Sequence, residues 1–230
     1  MNKLSIVIPT LNEADSIGRL ITHLVRCSDK NNIADILVVD GGSEDDTIEK
    51  VAEYDSASLI ISEKGRAKQM NKGAQLASGS ILYFLHADSY PPMGFDDLIT
   101  NEVENGNLAG CFKMKFDHDH WWLRLASWLT KFSWRACRGG DQSQFITKDL
   151  FEELGCFDEH FTVYEDNDLI NKLYARKQFV VIQEWLTTSA RRYSTNGIWR
   201  LQFHFWTIYV KKWFGASAEE LQRYYLKNII

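Results

Sequence analysis

The sequence has 230 residues, of which 45% are hydrophobic and 25% are charged, and its formal net charge is −5. This composition is typical of a globular protein with one sizeable domain, and the negative charge argues against a nucleic-acid partner, which would need a clustered basic surface. The four cysteines are widely scattered without a C-x-x-C pair, so they predict neither a zinc site nor a disulfide framework.

The first residues, "MNKLSIVIPTLNE", lack the long apolar stretch and the small-residue cleavage site of a signal peptide. No window of the sequence is apolar enough to span a bilayer. Together with cysteines that we interpret as reduced, this predicts a cytoplasmic protein, either soluble or peripheral at the inner face of the membrane.

The first half of the chain alternates between strands and helices. "LSIVIP" and "DILVVD" are short β-branched runs, each followed by a turn and a helical pattern, and "SLIIS" and "ILYFL" continue the series. This order predicts a parallel sheet. Ser43, followed three residues later by Asp46, predicts a capping box at the start of the second helix.

From about Phe95 the pattern changes to a helix, a strand "AGCFKMKF", a tryptophan-rich helix, the strands "SQFIT" and "FVVIQ", and further helices. We find no flexible linker and no internal repeat. The sequence therefore predicts one α/β domain over residues 1–230, with a Rossmann-like, mostly parallel sheet, helices on both faces and a mixed, helix-rich C-terminal part.

Polar residues follow three of the predicted strands. They are Pro9–Thr10 with Asn12 and Glu13, then Asp40–Ser43, then His86–Asp88. Each alone could be a tight turn or a cap. Because the carboxyl ends of parallel strands meet at one edge, where ligands bind in open α/β sheets, the three together predict a functional site.

At these residues the sequence resembles a known family. "SIVIPTLNE", "ILVVDGGSEDDT", "GRAKQMNKGAQLASGSILYFLHADS" and "YEDNDL" resemble, in order and spacing, the nucleotide-sugar-dependent glycosyltransferases of family 2, which have the GT-A fold. "LHADS", "GDQSQF" and "SARRY" further resemble a bacterial subgroup described as selenodomain-associated or arsenosugar-type transferases. The resemblance implies a single glycosyltransferase domain with a nucleotide-binding half (1–94), an acceptor and catalytic half (95–196) and C-terminal helices (197–230).

The implied donor is a nucleotide-diphosphate sugar, a UDP-sugar first of all, and the acceptor is unknown. Asp40 would accept a hydrogen bond from the base or ribose, and the arginines of "SARRY" would clamp the diphosphate, although they could also be solvated surface side chains. The nucleotide-sugar-binding residues implied are Pro9, Thr10, Glu13, Asp40, Arg66, Asn71, Ala87, Asp88, Asp141, Gln142, Arg191 and Arg192.

The resemblance also implies a divalent cation. Asp88 matches the last carboxylate of the family's D-x-D motif, which binds Mg²⁺ or Mn²⁺ against the diphosphate. His86 stands where the first aspartate is usual, which puts metal dependence in doubt, since imidazole suits Mn²⁺ better than Mg²⁺. Met70 takes the place of an arginine often found before Asn71, and Arg66 or Lys68 would substitute for it.

The implied catalytic residues are Glu165 and Asp166. Asp166 would deprotonate the acceptor hydroxyl for in-line attack, which implies a single displacement with inversion. Acidic residues at a helix start also stabilise the helix dipole, by about 0.3–1 kcal/mol, without any catalytic role.

Two other functions remain open at this point. A sugar-1-phosphate nucleotidyltransferase shares the nucleotide-binding sheet, but should have a glycine-rich loop after the first strand, where "PTLNEADS" has none. A non-catalytic nucleotide-sugar-binding protein is suggested only by His86.

Two aromatic stripes have helical spacing. Trp199, Phe203, Trp206, Val210 and Trp213 form one of them, and the other consists of Trp121, Leu125, Trp128 and Phe132. Both could be core. Tryptophan next to arginine and lysine is also typical of a membrane headgroup layer, or the stripes could form a homodimer seam. We predict that the helix at about 197–214 carries a subunit or peripheral membrane contact.

Overall fold

The computed structural model describes residues 2–139 and 142–229. The strands of this part of the chain form one mixed sheet. They are β1 (Leu4–Thr10), β2 (Ile33–Asp40), β3 (Ser58–Ile61), β4 (Ile81–Phe84), β5 (Ser89–Tyr90), β6 (Ala109–Phe116), β7 (Gln144–Thr147) and β8 (Val180–Thr188).

The helices cover both faces of the sheet and extend beyond one end of it. They are α1 (Ala14–Cys27), α2 (Thr47–Ala52), α3 (Arg66–Leu76), α4 (Phe95–Glu104), α5 (Trp121–Leu129), α6 (Lys148–Glu153), α7 (Glu165–Ala175), α8 (Arg191–Asn196), α9 (Ile198–Trp213) and α10 (Ala218–Asn228), with a 3-10 turn at Arg135–Cys137.

The strand order is β3-β2-β1-β4-β7-β6-β8-β5. The first four strands in the chain are mutually parallel, as the sequence predicted. β7 then runs antiparallel to both β4 and β6, while β6 and β8 are parallel. The predicted α/β class with a mostly parallel sheet is confirmed.

The last strand pair was not predicted. β8 continues past "FVVIQ" to Thr188, and the two-residue β5 pairs with its end, Ser89 opposite Thr188. Two residues are too few to show an alternating pattern, so the sequence gives no signal for β5. This pairing places the chain after Thr188 next to the turn after β4.

Two cores lie on opposite faces of the sheet. One contains α1 and α4 packed on the strands, and the other contains α3, α6 and α7. The small residues of α3 let it approach β1 closely, since a Cβ on Gly73 would lie 2.4 Å from Val7 Cγ1. Ala67, Met70 and Ala74 are buried on that same face.

The predicted capping box at Ser43 is wrong. α2 begins at Thr47, and its N-cap, Asp46, makes no side-chain cap hydrogen bond. Ser43 Oγ instead bonds the carboxylate of Asp40, and it accepts a hydrogen bond from Asn12 N at 2.9 Å. The nearby buried carboxylate competes successfully for the hydroxyl that a cap would use.

A third cluster joins α5, α8, α9 and α10 through buried residues that include Leu123, Leu201 and Leu221. The tryptophan stripes are not its core. Trp121 and Trp199 contact each other, with ring centroids 5.6 Å apart, and Trp122 contacts Trp206 at the same distance. Residues of both stripes nevertheless remain exposed, namely Trp121, Leu125, Trp128, Trp199, Phe203, Trp206, Val210 and Trp213. Within the described residues, no helix is long and apolar enough to cross a membrane.

Candidate functional site

The loops after β1 and β2 are bonded into one unit. Asn12, which has a left-handed backbone conformation (φ 56°), accepts a hydrogen bond from Glu44 N at 2.8 Å through Oδ1. Glu13 N donates to Thr47 Oγ1 at 2.8 Å. The carboxyl edge of the sheet is therefore held in place by side-chain bonds between two loops that are far apart in sequence.

Asp40 and Thr10 form the floor beneath these loops. Asp40 is fully buried, and its Oδ2 accepts hydrogen bonds from Gly42 N and Ser43 N, both at 2.8 Å. Thr10 is also buried and donates to Val39 O at 3.3 Å. These side chains order the loop, and their direct contact with a nucleotide stays a prediction.

Gln69 of α3 joins β1 and β2 at this edge of the sheet. Its side-chain amide donates to Thr10 O and Val39 O, both at 2.7 Å. A Cβ on Gly41 would lie only 2.9 Å from Gln69 Cδ, so a glycine is needed there. No motif in the sequence singles out Gln69.

The turn after β4 carries His86, Ala87 and Asp88. Ser89 N donates to His86 O at 3.1 Å, which closes the turn, and Ala87 is buried. Ser189 N donates to Asp88 O at 3.2 Å, so the chain leaving β8 is fixed against this turn.

Three charged residues from distant parts of the chain meet at this edge. Arg191 Nη2 lies 2.7 Å from Glu13 Oε1. The hydrogen bond to Glu13 raises the pKa of Arg191 above its ordinary value, and the negative charge of Asp88 adds to the shift. The structure therefore brings Glu13, Asp88 and Arg191 together.

Arg192 faces elsewhere. Its Nη2 donates to Tyr225 OH at 2.6 Å, and its guanidinium lies over the rings of Phe205 and Tyr225. The two arginines of "SARRY", predicted to act as one clamp, thus point to different sites, because neighbouring residues on a helix are about 100° apart.

Glu165 and Asp166 begin α7 and form a second charged cluster with Arg66. Arg66 Nε bonds Glu165 Oε1 and its Nη2 bonds Asp166 Oδ2. Both carboxyl residues are buried. The preceding residue, Tyr164, has φ 90°, a conformation that costs a non-glycine residue about 1–3 kcal/mol. Asp168 pairs with Lys172 on the outer face of the helix at 3.0 Å.

A cavity of about 1320 Å³ opens next to this cluster. It lies between α5, α9, the 3-10 turn and the start of α7, and Arg66 forms part of its wall. Gln142 also lines it and is held by a bond from its side-chain amide to Cys137 O at 3.3 Å. The prediction for Asp141 concerns a residue outside the described ranges.

Asn71 does not line this cavity. Its side chain donates to Phe157 O at 2.9 Å and accepts from Phe157 N at 3.1 Å, and it also bonds Glu159. Asn71 thus joins α3 to the loop before α7, and its contact with a nucleotide stays a prediction. Met70 is buried in the core, and Lys68 pairs with Glu63, so Arg66 is the cation of α3 that reaches the cluster.

The turn after β4 offers few side chains that could bind a metal ion. Within residues 2–139 and 142–229, no three histidine, cysteine, aspartate or glutamate side chains are grouped so that they could hold a metal ion. Mg²⁺ needs only one or two protein carboxylates when substrate phosphates and water complete its coordination. The Asp88 carboxylate is a ligand type that suits such an ion, and the His86 imidazole suits Mn²⁺ better than Mg²⁺, so a cation at this turn stays a prediction.

Two polar residues in the interior were missed by the sequence analysis. Gln144, opposite Phe84 in the β4–β7 pair, is buried, and both of its side-chain amide atoms lack partners among the described residues. Arg138 is 3% exposed, and its Nε has no partner there. The polar "QSQ" run at the start of a strand was the only available signal for Gln144.

Comparisons with known proteins agree with this geometry. The family model "Glycosyl transferase family 2" matches residues 5–167. Glycosyltransferase AglE of Haloferax volcanii is 32% identical over 94 residues, which are 38% of this chain and 31% of AglE. Dolichol-phosphate mannosyltransferase of Pyrococcus furiosus is 32% identical over 111 residues, 46% of this chain and 31% of the relative. The chain therefore spans about a third of the length of these curated relatives.

Among solved structures, S. aureus TarS 1-349 in complex with UDP-GlcNAc is similar, with a TM-score of 0.64 and 20% identity over 81% of this chain and 58% of that one. TarS 1-349 without the ligand gives a TM-score of 0.65 at 19% identity, over 86% and 64%. These similarities show that the fold is of the GT-A type.

Proposed function

This chain belongs to glycosyl transferase family 2, and we propose that it moves a sugar from a nucleotide-diphosphate sugar to an acceptor hydroxyl. The observation that carries the proposal is the meeting of Glu13, Asp88 and Arg191 at the carboxyl edge of the sheet. That is the edge at which nucleotides bind in open α/β sheets. The UDP-GlcNAc complex of the structurally similar TarS supports a UDP-sugar as donor.

The donor diphosphate would lie along this edge. Arg191 offers a planar guanidinium that can bind two phosphate oxygens at once, once its bond to Glu13 is exchanged for the ligand. Asp88 and His86 would hold Mg²⁺ or Mn²⁺, which when bound supplies positive charge against the leaving diphosphate. Glu13 would then be released from Arg191 to bind hydroxyl groups of the nucleotide.

The second cluster supplies the base. Asp166 would take the proton of the acceptor hydroxyl while that oxygen bonds to the anomeric carbon and the bond to the diphosphate breaks. One displacement inverts the anomeric configuration. Arg66 orients Asp166 and Glu165 through its two ion pairs and faces the cavity from which an acceptor would approach.

Nucleotide preference tests this proposal. The protein would be incubated with UDP-, GDP- and TDP-sugars in the presence of Mn²⁺, while thermal stability and release of nucleoside diphosphate are followed. We expect UDP-sugars to raise the melting temperature and to release UDP. Formation of pyrophosphate from a nucleoside triphosphate and a sugar 1-phosphate would instead identify a nucleotidyltransferase, and binding without turnover under all conditions would identify a non-catalytic binding protein.

We also propose a subgroup and a cellular location for this chain. The "LHADS" and "SARRY" segments, which the structure joins through the Ser189–Asp88 bond, support membership of the selenodomain-associated or arsenosugar-type subgroup. We also propose a cytoplasmic location, at which nucleotide sugars and reduced cysteines both occur.

A further inference from the structure

The cavity next to Arg66 combines aromatic walls with positive charge. Its aromatic lining includes Trp122, Tyr164, Phe205, Trp206, Tyr209 and Trp213. Its charged lining consists of Arg66, Arg135, Arg138, Arg192 and Lys212, and none of the described lining residues is an aspartate or a glutamate. Such a cavity is suited to a ligand that is both apolar and anionic.

Two of these cations are not matched by a carboxylate anywhere in the described ranges. Arg138 bonds Thr130 O, Phe132 O and Cys111 Sγ, and its Nε has no partner. Arg135 bonds the side chains of Asn167 and Asn171. Arg138 is buried, and its Nε has no partner among the described residues, so an anion in the cavity that accepts a hydrogen bond from it would offset the cost of burying the guanidinium.

The surface around the cavity has the same character. Segments 121–139 and 191–214 contain nine lysines and arginines and no aspartate or glutamate, although the whole chain has a net charge of −5. Trp213 and Phe214 at the end of α9 are 84% and 80% exposed. Trp213 and Lys212 belong both to this surface and to the cavity wall.

Lysines on this surface lie against rings rather than carboxylates. Lys131 Nζ is 4.1 Å from the centroid of the Trp128 ring, and Lys212 Nζ is 4.6 Å from that of Phe161. Exposed tryptophans with lysine ammonium groups nearby are typical of surfaces that lie in the headgroup layer of an anionic membrane. We call the exposed aromatic residues of α5 and α9, with Phe214, the tryptophan face.

We propose that the cavity is the acceptor site and that its acceptor is an anionic membrane lipid, which enters from a lipid surface against which the tryptophan face lies. The hydrocarbon portion packs on the aromatic walls, and the anionic group bonds Arg135 and Arg138. The attacking hydroxyl then lies near Asp166 beside Arg66. This inference rests on the proposed function, because it names the acceptor class of the same transfer.

Vesicle binding tests the tryptophan face. In flotation with phosphatidylcholine vesicles, with and without phosphatidylglycerol, we expect binding to the mixed vesicles only, weakened by salt through screening. Trp213→Glu and the double variant Lys211→Glu, Lys212→Glu should lose it. Leu76→Glu, an exposed hydrophobic position at the end of α3, is the matched control and should bind like the wild type. Equal binding by Trp213→Glu, no binding by the wild type, or a wild-type dimer that Trp213→Glu dissociates would overturn the proposal.

A monomeric lipid probe tests the cavity itself. Short-chain dioctanoyl phosphatidylglycerol, used below its micelle concentration, should bind the protein in calorimetric titration more tightly than dioctanoyl phosphatidylcholine does. Ala126→Phe, which fills the cavity from α5, and Arg135→Gln should each weaken binding by about tenfold, the scale of a lost charged hydrogen bond or blocked contact. Equal affinity for the two lipids, or unchanged affinity in Ala126→Phe, would contradict the proposal.

UDP binding distinguishes a failure of the proposed function from a failure of the acceptor assignment. UDP should bind Ala126→Phe and Trp213→Glu as it binds the wild type, because the donor edge lies outside the cavity. Lipid binding without any UDP binding would contradict the proposed function while leaving the lipid site intact. UDP binding without lipid binding would overturn only the acceptor assignment.

Discussion

Asp88 lies in the turn after β4 that the hydrogen bond from Ser89 N closes, and its negative charge contributes to the raised pKa of Arg191. We expect Asp88→Ala to abolish metal-dependent donor binding while the melting temperature of the unliganded protein stays nearly unchanged, since the residue lies on an open edge rather than in a core. Calorimetric titration with UDP, with and without Mn²⁺, measures this. Asp55→Ala, an exposed aspartate in the turn after α2, is the control and should bind normally. Undiminished metal dependence in Asp88→Ala would show that Asp88 is not a ligand.

We propose that Asp166 acts on the acceptor rather than on the donor. We expect Asp166→Asn to lower turnover by about 10²–10⁴-fold, the usual contribution of a positioned general base, with donor affinity retained. Asp168→Asn is a matched control on the same helix, because Asp168 pairs with Lys172. Near-normal turnover in Asp166→Asn would show that Asp166 is not the base and would assign that role to Glu165.

His86 occupies a position at which the resembling family usually has aspartate. We expect His86→Asp to keep or raise activity with Mg²⁺, because a second carboxylate suits that ion better than imidazole does. Initial rates with Mg²⁺ and with Mn²⁺ measure the change. Complete loss of activity with both ions would show that the imidazole has a function of its own.

At the scale of elements, the position of α3 depends on close contact with β1. Gly73→Val should destabilise the protein by about 1–3 kcal/mol or more, because the new side chain would meet Val7 and Val39 in a packed core. Urea unfolding measures the change in free energy. Gln75→Ala on the exposed face of α3 is the control and should have little effect, and equal stability of the two variants would contradict the close packing.

The strands and helices of the first half could be predicted because their apolar patterns are local. β5 could not, since two residues carry no pattern and only the pairing with Thr188 creates the strand. The start of α2 was misplaced because Ser43 bonds Asp40 instead of capping the helix. Local signals thus predict an element well unless a residue from another part of the chain competes for the same side chain.

For the whole molecule, the motifs place the candidate site at the carboxyl edge of the sheet, but they do not predict which partners its side chains bond. Arg191 reaches Glu13 across 178 positions, while Arg192 faces the cavity. Asn71 and Asp40 occupy motif positions, and their side chains form hydrogen bonds with nearby backbone groups. The cavity is formed by α5, α7 and α9 together. The residue spacing within one helix does not reveal a cavity that three helices enclose. The tryptophan stripes gave the helical period, and only the fold shows that the stripe residues are exposed.

We propose that the sugar is transferred between the two charged clusters, and the anomeric configuration of the first product shows whether it is. Proton NMR would follow a UDP-α-sugar during incubation with the protein and Mn²⁺, with water or a lipid extract as acceptor. We expect UDP to appear together with a product whose first-formed anomer is β, because Asp166 directs a single displacement. An α-anomer formed first would contradict the single displacement. If the protein consumed none of the UDP-, GDP- and TDP-sugars, the proposed transferase activity would be wrong.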